Sequence, residues 1–249
     1  MLVFTAMKTD HPTWIPVPSP NMYPGRKPGV PVTGLVIHFT AAGSGKGTAD
    51  YFSKKEVSWV DKGQTKTAKV SASSQIVIDR DGTVYQCTAL EDRAWHAGPA
   101  TKWKGQPLAK GQNANDFTVG IEIANWGKLS DGPPYKTYTG AAFKGQAFVA
   151  KDGSVWEAYP EKQIDAVIAA AKVIIAKYPA IKREDVQGHE QIQDNKNDPG
   201  PAFPWEKFLD GVFGDDDEET ANVLNAFEDD DRKGHYDDEV EMCLVEKKA

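Results

Sequence analysis

Cysteine is scarce in this chain: Cys87 and Cys243 are the only two in 249 residues. One sits in a β-rich run and the other near the C-terminus. That excludes a disulfide framework or a Cys-rich zinc site and fits two reduced, unpaired thiols. No apolar run approaches the roughly 18–20 residues of a membrane span, so none is expected. The opening Met-Leu-Val-Phe-Thr-Ala-Met-Lys has no basic stretch ahead of its apolar patch. The patch is also shorter than a secretory core of about 7–15 residues. The expectation is therefore cytoplasmic on synthesis, without an export signal. A strong basic footprint is missing as well, which argues against nucleic acid as a partner. The net charge of −7 is uneven: residues 215–249 carry 14 acidic and 4 basic side chains, leaving residues 1–214 at a net of +3. There is no internal repeat, and Gly43, Gly45 and Gly47 do not match a nucleotide-binding fingerprint.

What is present fits one sizeable domain with extensions, since 40% of the residues are apolar. Seven prolines between Pro12 and Pro31 predict an extended arm over residues 1–33. Gly34-Leu-Val-Ile-His-Phe-Thr40 reads as a buried central strand with His38 near its C-terminal end, where α/β sheets commonly meet ligands. Thr48 is placed to cap a helix running to about Lys54. Gln75–Asp79 and Thr83–Cys87 flank an Asp-Gly turn and predict a hairpin. Residues 99–115 are expected to be irregular. Phe117–Ala124 reads as a second strand with Glu122 among apolar neighbours. Burying an unpaired carboxylate is costly, so Glu122 either alternates out to solvent or has a chemical task. Residues 128–160 read as an inserted loop or small hairpin. Glu161–Tyr178 is the clearest helix, with Ile164, Val167, Ile168, Ala171, Ile174 and Ile175 on one stripe and Pro179 as its stop. Phe203 to Phe208 starts a short terminal helix. Residues 212–249 read as a solvated acidic tail; His235 there lies among carboxylates without forming a second metal site.

Residues 188–205 hold His189, Lys196 and Asp198 in a stretch whose prolines forbid a continuous helix. Imidazole and carboxylate are ordinary zinc ligands, and a catalytic zinc usually has three protein ligands and an open fourth position. A single loop supplies two. A His beside an Asp is also, commonly, a simple hydrogen-bonded pair. His38 is the available third ligand.

Five segments appear in order: Val36-Ile-His38-Phe-Thr40, Arg80-Asp-Gly82, Ala94-Trp-His-Ala-Gly98, Asn115–Glu122, and Gly188-His189 followed by Lys196-Asn-Asp-Pro-Gly-Pro201. Together they resemble the zinc-dependent N-acetylmuramoyl-L-alanine amidases of the type-2 amidase and peptidoglycan-recognition superfamily, over roughly residues 17–208. The resemblance implies an α/β fold, a single mixed central sheet flanked by helices, over a catalytic domain at 34–211 with a zinc-containing groove. It implies Zn²⁺ held by His38, His189 and Asp198, proton handling by Glu122, and charge stabilisation by Lys196. Trp95, His96 and Asn115 would line the substrate groove, although His96 could equally stand behind a metal ligand. The implied substrate is peptidoglycan or a muropeptide. The insertion and the tail lean towards a phage-type endolysin; a cytosolic muropeptide-recycling amidase and a non-catalytic peptidoglycan binder are the alternatives. Gln75 stands where many relatives carry His, and Asp194-Asn195 replaces a common Pro and basic residue.

Overall fold

The computed structural model describes residue 7 and residues 9–214. The expectations for the acidic tail, with His235 and Cys243, lie outside these. The central sheet comprises β1 (Ile15–Pro16), β2 (Gly34–Phe39), β3 (Ile76–Ile78), β4 (Val84–Gln86), β5 (Thr118–Ile123) and β6 (Val186–Gly188), in the order β1-β4-β3-β5-β2-β6. β2 pairs in parallel with β5 on one side and β6 on the other, and β5 pairs in parallel with β3. The β3–β4 hairpin is antiparallel and brings β1 alongside β4. The sheet is therefore mixed, as expected. The helices are α1 (Gly45–Phe52), α2 (Ala114–Phe117), α3 (Glu161–Lys177), α4 (His189–Ile192) and α5 (Trp205–Phe213).

Strand alternation assigns the two faces. Leu35 and Ile37, Val119, Ile121 and Ile123, and Ile76 and Ile78 are all fully buried on one face. α3 covers that face with Ile164, Val167, Ala171 and Ile174, four of the six stripe positions. Ile168 is only half-buried and packs under Gly211 of α5. Val36, His38, Gly120, Glu122 and Val77 point to the other face. There Val77 packs with Ala49 and Phe52 of α1, and Val36 with Ala97, Ala114 and Ile192. His38 and Glu122 are thus carried side by side, in register, onto the face that α3 does not cover.

Several local expectations need correction. α1 starts at Gly45, not Thr48, because Ser44 is its N-cap and accepts from the Gly47 amide. Asp79 holds this turn by accepting from the Lys46 amide, and Gly45 lies so close to the Asp79 backbone that a Cβ would be 2.9 Å from it. Residues 99–115 are not wholly irregular: they include the small hairpin Lys102–Trp103/Gln106–Pro107 and the first residues of α2. A solvent-exposed hairpin, Glu56–Asp61/Gln64–Lys69, was not anticipated. The proline-rich arm is extended, but it is bound to the body. Ser19 and the Asn21 side chain both donate to Phe52 O, and Arg26 reaches Leu90 O and Thr118 O. The terminal helix begins two residues later and runs further than expected, to Phe213.

Candidate metal centre and active site

β2 and β6 end next to each other, and this delivers two imidazoles to one point. Gly188, the last residue of β6, is in register with Ile37, so His38 on β2 and His189 at the start of α4 come next to each other. Asp198 joins them from the loop after α4, which is tied back by a bond from the Glu190 amide to Asp198 O. The three ligating atoms, His38 Nδ1, His189 Nδ1 and Asp198 Oδ2, stand 3.0 Å from one another along all three edges. All three residues are buried. Asp198 Oδ2 lies 3.0 Å from both imidazoles and is the acidic member of the set.

The chemistry of this donor set fits a cation. His189 Nε2 lies 3.2 Å from Gln193 Oε1, an amide oxygen that only accepts, so the proton belongs on Nε2 and the Nδ1 lone pair faces inward. The Gln193 amide nitrogen donates to Asn195 Oδ1 at 2.7 Å, in keeping with that orientation. An imidazole lone pair and a carboxylate oxygen at 3.0 Å repel unless a cation lies between them. Two imidazoles and one carboxylate form an ordinary zinc set with a position left over.

Glu122 stands next to His38 in a different setting. It lines an open cavity of about 550 Å³ with Phe39, Thr40, Tyr51, Phe52 and Tyr138. Its Oε2 is buried and has no hydrogen-bond partner among the described residues. Burial pushes its carboxyl well above the ordinary range, Asp198 adds to the rise, and Lys196 opposes it. Lys196 is exposed, and its charge is felt at both Glu122 and His38. The cavity rim at Ala42 and Gly43 is fastened by Arg80, which donates to both carbonyls while gripping Glu157 through Nε (2.6 Å) and Nη2 (2.8 Å). The 128–160 segment thereby braces the site. It includes the hairpin Ala147–Val149/Val155–Glu157; Trp156 packs against Phe39, and Tyr159 donates to Pro199 O at 2.8 Å. Gly200, at φ +74, lies against the Trp156 ring, where a Cβ would come within 2.8 Å.

Residues 28–201 match the model of the N-acetylmuramoyl-L-alanine amidase family. This chain belongs to that family. It is similar to the 1,6-anhydro-N-acetylmuramyl-L-alanine amidase AmpD of Enterobacter cloacae, with 30% identity over 142 residues, 57% of each chain. It is also similar to the N-acetylmuramoyl-L-alanine amidase AmiD of Escherichia coli, with 31% identity over 182 residues, 72% of this chain and 53% of that one. The chain thus spans little more than half the length of these curated relatives. A crystal structure of a selenomethionine AmpD derivative shares the fold, with a TM-score of 0.55 and 24% identity over 83% of this chain and 99% of its own. AmiD from E. coli in complex with anhydro-N-acetylmuramic acid-L-Ala-D-γ-Glu-L-Lys aligns with a TM-score of 0.51 and 26% identity, over 76% of this chain and 61% of the other.

Within this amidase domain, the structure brings His38, His189, Asp198 and Glu122 to one corner. Trp95, His96 and Asn115, expected at the groove, lie outside the cavity that Glu122 lines, and His96 takes the alternative place behind His38. His96 is buried behind His38, with Nδ1 3.1 Å from His38 Nε2 and Nε2 3.1 Å from Thr118 Oγ1. Asn115 is buried too, and its Oδ1 accepts from the His96 and Ala97 amides. Trp95 packs against Tyr23, with its indole N–H buried and without a partner among the described residues. None of the three lines the cavity beside Glu122. His96 and Asn115 therefore support the site instead of walling the groove. Gln75 is also structural: its side chain accepts from the Gly120 amide and donates to Asp92 O. Gln193, Thr118 and Tyr138 were missed by sequence reasoning. Gln193 carried a usable signal, standing four residues after His189, one helical turn away.

Proposed function

We propose that this protein hydrolyses the amide bond between N-acetylmuramic acid and L-alanine, using zinc held by His38, His189 and Asp198. The observation that carries the reading is the convergence of these three atoms at 3.0 Å beside Glu122, whose buried Oε2 has no partner among the described residues, in a chain of this family. When bound, zinc supplies Lewis acidity and lowers the pKa of a coordinated water to about 7. Glu122, facing the cavity, takes the proton of the attacking water and passes it to the departing L-alanine amine; a carboxyl raised by burial is a stronger base than a solvated one. Lys196 supplies positive charge to the carbonyl oxygen as it becomes negative. His38 and His189 orient, and Asp198 contributes the anion that keeps the site's charge balanced.

The substrate we favour is a soluble anhydromuropeptide, not the intact wall. AmpD is named for a 1,6-anhydro substrate, and the AmiD complex holds an anhydromuramyl peptide. The leaning towards an endolysin rested on the insertion and the tail. The insertion has another job here, buttressing the Asp198 loop through Trp156 and Tyr159. Among the described residues no helix is long and apolar enough to cross a membrane. The test offers the zinc-loaded protein an anhydromuramyl tripeptide and, separately, purified sacculi, and identifies products by mass. Release of a peptide with a free L-alanine amine from the soluble fragment is expected. Release from sacculi alone would favour the lysin, and release from neither would overturn the reaction.

A further inference from the structure

We propose that His96 and Thr118 are positioning residues that fix the tautomer of His38, so that a lone pair on Nδ1, and not a proton, faces His189 and Asp198. The inference rests on the metal reading above and extends it to residues that never touch the metal.

The direction of the chain can be derived from one end. Thr118 Oγ1 lies 2.7 Å from Ala114 O, and a carbonyl oxygen only accepts, so the single hydroxyl proton is committed there. The Thr118 oxygen is then available only as an acceptor, and its contact at 3.1 Å with His96 Nε2 requires the proton on that nitrogen. A neutral imidazole with Nε2 protonated carries a bare Nδ1. That bare Nδ1 is 3.1 Å from His38 Nε2, so His38 must donate through Nε2, leaving its own Nδ1 free at the triad. Reversing the chain would set two lone pairs against each other at the 2.7 Å Thr118–Ala114 contact and put a proton on His38 Nδ1, where a cation belongs. The relay thus does for His38 what Gln193 does for His189, through two more residues.

The packing is specific to this arrangement. His96 is buried, with its ring edge-on to His38 at 5.3 Å between centroids. Gly120 of β5 leaves it room, since a Cβ there would lie 2.5 Å from His96 Cγ. Asn115 holds the backbone from the other side through the His96 and Ala97 amides.

The experiment measures zinc affinity by chelator competition in wild type and in His96→Ala, Thr118→Val and Thr118→Ser, with thermal unfolding of the metal-free proteins recorded alongside. Loss of an outer partner of a ligating histidine typically weakens metal binding about 10–100-fold. That loss is expected for His96→Ala and Thr118→Val, while Thr118→Ser, which keeps the hydroxyl, stays close to wild type. Unchanged affinity in folded His96→Ala and Thr118→Val would overturn the relay while leaving the metal site standing. A wild type that takes up no zinc would overturn the metal reading and the relay with it. Imidazole ¹⁵N shifts of the zinc-loaded wild type give a check independent of variant folding. They should show His96 protonated at Nε2 and bare at Nδ1, and the opposite tautomer would overturn the proposal.

Discussion

His38 and Glu122 sit in register on adjacent strands and point to the same face of the sheet, yet their surroundings differ in kind. At the His38 corner the outer ring nitrogens of both histidines are held by buried partners, and their inner nitrogens converge with Asp198 on one point. At the Glu122 corner the walls are open and one carboxylate oxygen is buried without a partner among the described residues. Donor atoms held from behind by buried partners suit the holding of an ion; an unsatisfied group costs stability and persists where a task requires it. In the proposed reaction the difference separates two jobs along one pair of strands, metal holding on β2 and proton handling on β5.

The largest effect should come from breaking the first corner. His38→Ala or His189→Ala should abolish both zinc content and turnover, as read by elemental analysis and product release. A variant that kept one zinc per chain would remove that residue from the ligand set. Next, Lys196→Ala should retain zinc and slow turnover on the order of 10²–10³-fold, the usual cost of losing one group that stabilises developing charge. Loss of zinc instead would make Lys196 part of the holding corner.

The stability cost of Glu122 gives a third, smaller effect with a definite sign. Because the folded carboxyl is raised above its unfolded value, the folded state binds the extra proton and stability falls as pH rises between the two values. Glu122→Gln has no such proton to lose. Its unfolding free energy, measured on metal-free protein, should therefore exceed that of wild type by an amount that grows above the ordinary carboxylate pKa and then levels. The plateau should be about 1–3 kcal/mol, the penalty of a buried group without a partner. A gap that closes as pH rises would contradict the assignment. The smallest effect is expected at the rim. Tyr138 is 69% exposed and tilted against Trp126, so Tyr138→Ala should raise KM about 2–10-fold with kcat unchanged, the worth of one aromatic contact. A fall in kcat alone would place it closer to the chemistry than the cavity suggests.

Much of this architecture was legible because hydrophobic runs and periodicity report burial directly. β2 and β5 are paired on both edges, so their near-continuous apolar sequences announced central strands, and Glu122 and His38 stood out as exceptions within them. α3 was legible from its stripe. What escaped was whatever depends on partners distant in sequence. Three glycines in residues 43–47 read as a flexible turn, because nothing local shows that Asp79 would anchor Ser44 and Lys46 there. The 56–69 hairpin is exposed on nearly every residue, Trp59 and Val60 included, so no buried face marks it. His96 lies in a loop of the sequence, which leaves a groove role and a place behind a metal ligand equally open. Only the packing of that loop against Gly120 shows its ring turned inward to His38.

The division between the two corners is tested most directly by measuring zinc content and turnover together in Glu122→Gln. The account predicts one zinc per chain at wild-type affinity with turnover reduced on the order of 10²–10³-fold, as for loss of a positioned proton-transfer group. Near wild-type turnover, or loss of the zinc along with activity, would contradict it.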